Sequence, residues 1–214
     1  MKPITHTPHR LLHSCKSTVV ILFFAFVLLV TSGCETTKVD KPAPVVTGGK
    51  IGVGTWATRA EFKDVRIMGP DGEVFAIDIP EDMSGWETKR GSWEVVDGAL
   101  RQTTLWDDTR AVITGNLPWS NYAINLKARK LGGREGFLIL FGMPSADSNI
   151  HSWWNLGGWG NTEHAIQTPG VPEKRVRGSI EEDHWYDVLI VIHGSTIEGY
   201  LDGELIQKVE GSSP

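Results

Sequence analysis

From Lys50 onward, apolar and polar residues alternate with a period of two, which is the pattern of half-buried β-strands. Within residues 121–129, one face carries Tyr122, Ile124, Leu126 and Ala128. Residues 136–142 are apolar on both faces, which predicts a central strand covered on both sides. Further strands are predicted at 51–56, 61–67, 73–79, 92–96, 99–103, 110–114 and 186–192.

Turn signals separate these runs. Asp71-Gly72, Asp97-Gly98 and Asp202-Gly203 supply the positive φ that the tip of a tight hairpin requires. Outside the first 33 residues, no window of 12 residues has a helical period. About a dozen short strands joined by turns predict an all-β fold, a two-sheet antiparallel sandwich.

The first 33 residues read as a targeting signal. Lys2, Arg10 and Lys16 precede an unbroken apolar run, 19–30, whose 12 residues are fewer than the about 20 that a membrane-spanning helix needs. Small residues and then Cys34 follow, which resembles the lipobox of bacterial lipoproteins and implies that Cys34 becomes the lipidated N-terminus of the mature chain. A plain signal anchor with an incidental cysteine is the alternative. Residues 34–49 are rich in Pro, Gly and small polar residues and predict a flexible tether.

Composition narrows the class of function. The chain has 214 residues, too few for a catalytic barrel of about 250. Two cysteines cannot form a disulfide scaffold. Residues 1–33 hold three of the 21 basic groups and none of the 26 acids, so the remainder carries 18 against 26, a net charge of −8. That charge argues against nucleic acid as a partner.

Residues suited to ligand binding are most concentrated in the segment 153–161, where three Trp, two Asn and three Gly occur together. A Trp ring offers a flat apolar face, and amides hydrogen-bond hydroxyls, so this combination suits a sugar. The predicted ligand-binding residues are Trp153, Trp154, Asn155, Trp159, Asn161 and, on a neighbouring strand, Gln167. The alternative is that these Trp fill the core and that Gly157 and Gly158 mark a bulge.

Two residues are candidates for acid or base catalysis. Glu135 opens the central strand within a Gly-rich turn, and His164 follows the Trp segment. The alternatives are a solvated turn charge for Glu135 and a surface polar residue for His164. No metal site of the zinc type is predicted, because the His residues lack short-loop pairing. Asp107-Asp108 could hold calcium, but a turn is the favoured explanation of the pair.

Several blocks then resemble a known group of domains. Residues 92–103 resemble the opening of concanavalin A-like, laminin-G-like sandwich domains, which include the 3-keto-disaccharide hydrolase family. The similarity is closer to the sandwich module attached to bacterial α-L-arabinofuranosidases and covers residues 50–209. The blocks that carry it are 128–130, 135–139, 153–161, 164–166, 178–181, 185–187 and 200–203. This resemblance implies a jelly-roll fold and a carbohydrate ligand.

The ends of the domain are displaced relative to that family. Residues 49–53 and 61–67 resemble the pair of strands that closes the related domain, but here they stand at the front. Permutation explains this order, because terminal strands of a sandwich often lie side by side. A fragment of a longer array is the alternative.

Three functions are compatible with the sequence. The first is a carbohydrate-binding lipoprotein of the bacterial cell envelope, anchored to the outer membrane or cell surface and directed at glycans such as arabinose-containing polysaccharides. The second is a hydrolase acting on glycosidic bonds, as the 3-keto-disaccharide hydrolases imply, with Glu135 or His164 as acid or base. The third is a structural surface lipoprotein whose Trp residues are core or interface.

Overall fold

The structure is a computed structural model that describes residues 48–149 and 152–211, which form strands and a single helical turn. The strands are β1 (Lys50–Thr55), β2 (Thr58–Met68), β3 (Val74–Ala76), β4 (Trp86–Lys89), β5 (Trp93–Val96), β6 (Ala99–Gln102), β7 (Thr109–Ile113), β8 (Tyr122–Gly133), β9 (Phe137–Met143), β10 (Ser152–Gly157), β11 (Glu163–Gln167), β12 (Arg175–Arg177), β13 (Trp185–His193), β14 (Thr196–Leu201) and β15 (Glu204–Glu210). The helical turn, α1 (Gly158–Asn161), joins β10 to β11.

The strands form two antiparallel sheets packed face to face, which confirms the predicted all-β sandwich. One sheet has seven strands in the order β12-β11-β10-β9-β1-β7-β4. The other has the order β15-β14-β13-β8-β2-β6-β5, with β3 added beside β2. The hairpins predicted at Asp71-Gly72, Asp97-Gly98 and Asp202-Gly203 join β2 to β3, β5 to β6 and β14 to β15.

The core lies between the two sheets and contains large side chains from both. Phe62 of β2 meets Phe137 of β9 edge to face, with ring centroids 6.1 Å apart. The predicted central strand is β9, whose alternate residues Leu138 and Leu140 face the other way. Those two residues belong to a second apolar cluster, on the outer face of the seven-stranded sheet. Both faces of β9 are therefore covered, as its sequence predicts.

The two strands that resemble a closing pair are inner strands of the two sheets, one in each sheet. β1 lies between β9 and β7, and β2 lies between β8 and β6. The front of the domain thus contributes a central strand to each sheet. Permutation as the origin of this order stays a prediction.

The targeting signal, Cys34 and most of the tether lie outside the described residues. Gly48 and Gly49, the last residues of the predicted tether, already belong to the sandwich. The amide of Gly48 donates to the carbonyl of Trp119 (2.9 Å), and Gly49 pairs with Leu117. Within residues 48–149 and 152–211, no helix has the length and apolar character needed to cross a membrane.

Candidate functional site

Four turns meet at the end of the sandwich opposite to Gly48. Strand register brings them together, because Thr55 pairs with both Thr109 and Phe137, while Leu156 pairs with Phe137. The turns next to these strand ends are residues 56–57, 103–108, 134–136 and 158–161, and we call them the turn cluster. Strands that are far apart in sequence therefore deliver the turns to one surface.

Backbone hydrogen bonds join the turn cluster into one unit. The amide of Ala57 donates to the carbonyl of Trp106 (3.1 Å), and the amide of Arg134 donates to the carbonyl of Ala57 (2.9 Å). The amide of Gly136 donates to the carbonyl of Gly157 (2.9 Å). Each turn thus holds its neighbour, which limits the movement of the side chains they carry.

Glu135 lies in the turn cluster and is half-buried. Its backbone is fixed by Thr58, whose hydroxyl donates to the Glu135 carbonyl (2.7 Å) and accepts from the Glu135 amide (2.9 Å). Burial raises the pKa of Glu135, with a further rise from the charge of Asp107, against lowering by the Gly160 amide and Arg134. The Gly160 N–H lies 3.4 Å from the carboxylate oxygen. Glu135 can therefore accept hydrogen bonds from hydroxyls or, when protonated, donate one.

The structure adds an exposed aromatic residue that the sequence analysis missed. Trp106 is 59% exposed and its neighbour Leu105 is 56% exposed. With Arg90 and Asp107 they line a surface cavity of about 470 Å³. The sequence did contain one indication of this residue. Leu105 and Trp106 are two large apolar residues in a turn between two predicted strands, where the fold does not require apolar side chains. Trp106 is the most exposed aromatic side chain of the turn cluster.

Trp159 presents a partly exposed ring from α1. It has φ of 51°, a left-handed conformation that is unusual for a bulky residue. The guanidinium of Arg175 stacks over its ring at 3.9 Å from the centroid. Arg175 is held by Glu173, whose carboxylate lies 2.6 Å from the Arg175 Nε. One face of the Trp159 ring is thus occupied by a cation.

Asn161 and His164, two of the predicted site residues, form hydrogen bonds with the backbone of the sandwich. The Asn161 amide donates to the carbonyl of Ile180 (2.9 Å), and its oxygen accepts the Ile180 N–H (2.8 Å). His164 is 3% exposed, and its Nδ1 accepts the Gly157 N–H (2.9 Å). Burial lowers the pKa of His164. His164 is a buried, neutral hydrogen-bond acceptor and does not occupy an open surface as either an acid or a ligand contact.

Trp153, Asn155 and Gln167 lie on the outer face of the seven-stranded sheet. Trp153 is only 6% exposed and packs with Leu140 in the outer cluster. Its Nε1 donates to the Gln167 oxygen (2.6 Å), and Gln167 in turn donates to Glu173 (2.6 Å). Gln167 and Asn155 are partly exposed. Asn155 belongs to β10 and Gln167 to β11, and these two strands pair with each other, as the sequence predicted.

Trp154 requires a correction of the sequence-based interpretation. It is fully buried in the core between the sheets, at 0% exposure. A Cβ added at Gly199 of the opposite sheet would lie only 2.8 Å from its ring. The ring therefore has no free face for a sugar, and the core-filling alternative describes its position.

Two observations concern metal ligands in the described part of the chain. There, no group of three or more His, Cys, Asp or Glu side chains is placed to hold a metal ion. The carboxylate of Asp108 already pairs with Lys89 (3.1 Å) and Arg110 (2.7 Å). Of the pair proposed for calcium, Asp108 is thus engaged in ion pairs, while Asp107 is exposed beside the cavity at Trp106.

Comparison with known proteins gives one relative. The chain is 37% identical over 175 residues to a protein named extracellular exo-alpha-L-arabinofuranosidase, from Streptomyces chartreusis. The match covers 79% of this chain and 21% of that protein, so the chain spans about a fifth of its relative's length. The two proteins therefore share a domain. No protein-family model matches the chain, and no solved structure matches it.

Proposed function

We propose that this protein is a glycan-binding sandwich domain whose site is the turn cluster, with Glu135, Trp106 and Trp159 as the principal contacts. The observation that carries the proposal is that two accessible indole rings and a half-buried carboxyl group lie at one end of the sandwich. Indole rings stack on the apolar C–H faces of sugars, and a carboxylate accepts hydrogen bonds from the surrounding hydroxyls. The Trp-rich segment thus contributes Trp159, and Trp106 replaces the buried Trp154.

The relative supports arabinose-containing polysaccharides as the first ligands to test. It is named as an extracellular arabinofuranosidase, and the shared domain makes up only 21% of it. We therefore infer that the ligand of this chain is a polysaccharide that contains arabinose. The concanavalin A-like type, to which the sequence bears a resemblance, belongs to the same proposal.

Lipid anchoring through Cys34 completes the proposal and would place the protein in the cell envelope. The chain enters the sandwich at Gly48, at the end opposite to the turn cluster. Labelling with radioactive palmitate tests the anchor: we expect label on the wild-type chain, and label that persists in Cys34→Ser would refute it.

Isothermal titration against arabinan, arabinoxylan and levan oligosaccharides tests glycan binding. We expect Trp106→Ala and Trp159→Ala each to weaken binding by about 5–30-fold, which corresponds to about 1–2 kcal/mol of stacking. Trp185→Ala is a matched control, because Trp185 is partly exposed on the eight-stranded sheet between Lys63 and Arg129. Absence of binding to a broad glycan panel would refute the proposal.

A second candidate function, hydrolysis of glycosides such as 3-keto-glycosides, is favoured by one observation. Burial raises the pKa of Glu135, which suits a general acid. Hydrolysis of 3-keto-glycosides and of p-nitrophenyl arabinofuranoside distinguishes the two functions. Turnover that disappears in Glu135→Gln would establish catalysis, whereas binding without turnover supports the binding domain.

A further inference from the structure

We propose that Asn161 and His164 are positioning residues, which hold α1 in the conformation that places Trp159 and the Gly160 N–H beside Glu135. The inference rests on the proposed function, because the groups it positions are those assigned to the glycan site. It gives both residues a role different from the ligand contact and the acid or base that the sequence suggests.

The α1 turn has an unusual backbone. Gly157, Trp159, Gly160 and Asn161 all have positive φ, at 68°, 51°, 74° and 63°. Glycine adopts this region readily and asparagine tolerates it, but a bulky residue such as tryptophan rarely does. Residues held in such conformations persist only when their surroundings fix them, and they cluster at functional sites. The contacts around α1 should therefore include the groups that fix Trp159.

Asn161 fixes the end of α1 by a two-point contact. Its side-chain amide pairs with both the N–H and the carbonyl of Ile180, at 2.8 and 2.9 Å, as a neighbouring strand would. Ile180 is itself 1% exposed and belongs to the core. The last residue of α1 is thus tied directly to the interior of the sandwich.

His164 fixes the start of α1. Its Nδ1 accepts the N–H of Gly157, the residue that precedes the turn. The imidazole is enclosed, since a Cβ at Gly178 would overlap its Nε2 edge. Burial lowers the pKa of His164, so the Nδ1 lone pair stays available at neutral pH and is lost only on acidification. The charged and titratable residues around it are Glu163 on its own strand, Arg175 and Arg177 of β12, Glu135, residues 181–184, and Glu204, Lys208 and Glu210 of β15.

Between these two anchors the turn has little freedom. The Thr162 amide donates to the Gly158 carbonyl (3.1 Å), and the Thr162 hydroxyl donates to the Trp159 carbonyl (2.9 Å). The backbone of Trp159 is consequently held from both ends, which orients its ring. Release of either anchor would free the turn without removing any group that we assign to the ligand.

Amide hydrogen exchange of the full chain, followed at Gly157 and Gly160, tests the inference without a ligand. We expect exchange to accelerate at least tenfold in His164→Leu and in Asn161→Gly, which keeps the left-handed conformation but removes the side-chain pairing. His164→Asn places an amide oxygen near the Nδ1 position, so it should restore slow exchange. Asn121→Ala is the matched control, because the Asn121 oxygen accepts a backbone N–H from Gly194 (2.7 Å) at the opposite end.

Two further readouts separate positioning from general stability. Glycan affinity should fall at least tenfold in His164→Leu and Asn161→Gly under conditions where both remain folded. In wild type, protection of the Gly157 amide, which donates to His164 Nδ1, should fall as the pH drops through the lowered pKa of His164, whereas in His164→Asn it should not change in this range. Unchanged exchange and affinity in both loss variants would overturn the inference. Accelerated exchange in His164→Leu and Asn161→Gly, together with a wild-type protein that binds no glycan, would support the inference and refute the proposed function.

Discussion

Replacing Trp154 by alanine should destabilise the fold without altering the glycan site, whereas replacing Trp159 should do the reverse. The two residues are five positions apart in the same Trp-rich segment. Trp154 is 0% exposed in the core, while Trp159 is partly exposed in the turn cluster. Substituting each residue therefore tests whether Trp154 belongs to the core and Trp159 to the glycan site.

The magnitude for Trp154 follows from its burial. A Trp side chain buries about 200 Å², which at about 25 cal/mol per Å² corresponds to about 5 kcal/mol. The Trp154 indole nitrogen is buried with no hydrogen-bond partner in the structure, and removing it returns about 1–3 kcal/mol. The net loss of unfolding free energy for Trp154→Ala is thus about 3 kcal/mol, within the usual range for large-to-small core substitutions. A domain of this size should then melt about 6–12 °C lower.

Thermal unfolding followed by circular dichroism, together with titration calorimetry below the melting temperature, measures both effects. Trp159→Ala should change the unfolding free energy by less than about 1 kcal/mol, because the ring is partly exposed. Its glycan affinity should fall by about 5–30-fold, as estimated from stacking. A folded Trp154→Ala protein should bind with wild-type affinity. Loss of affinity in folded Trp154→Ala, or equal destabilisation by the two variants, would refute the assignment of Trp154 to the core and of Trp159 to the glycan site.

Three other substitutions test neighbouring features. Glu135→Gln should weaken glycan binding at least fivefold. Burial raises the pKa of Glu135 above 4.5, so the contribution of its protonated form to stability is lost as the pH rises through that pKa. By thermal unfolding at pH 7, the variant should therefore be at least as stable as wild type. Glu61→Gln should cost about 2 kcal/mol at pH 7, measured in urea, because the carboxylate is 2% exposed between Arg101 and Arg129. Although burial alone would raise it, these two arginines hold the pKa of Glu61 below 4.5, so wild-type stability should fall as the pH drops through that lowered pKa, and a flat profile would contradict the ion pair. Gly136→Ala should cost about 2 kcal/mol or more, because a Cβ there would overlap a backbone oxygen of β10; a melting temperature equal to wild type would contradict the close approach.

Much of the fold was predictable because β-structure leaves a local signature. Period-two alternation located β8, the two-sided apolar pattern located β9 as a central strand, and Asp-Gly pairs located three hairpins. The strand predicted at 73–79 was too long, because only three of its residues form β3 (Val74–Ala76). That short strand lies at the edge of the β2 hairpin with all three residues exposed, so burial does not specify its length.

The candidate site was predictable only in part. The sequence pointed to the Trp-rich segment and to Glu135, which the structure brings together through Gly160. It did not distinguish Trp154 from Trp159, because alternation assigns residues to faces without saying which face is enclosed. Trp106 was missed, because nothing near it in the sequence indicates that its turn adjoins that of Glu135.

The sequence by itself determined the class of fold, since alternation and turn chemistry are properties of consecutive residues. Only the tertiary structure decided which polar groups are free. Strand register gathers the turns of Trp106, Glu135 and Trp159 from distant parts of the chain. The same packing commits Asn161 and His164 to backbone hydrogen bonds, because buried backbone groups must be satisfied by whatever polar atoms lie within reach.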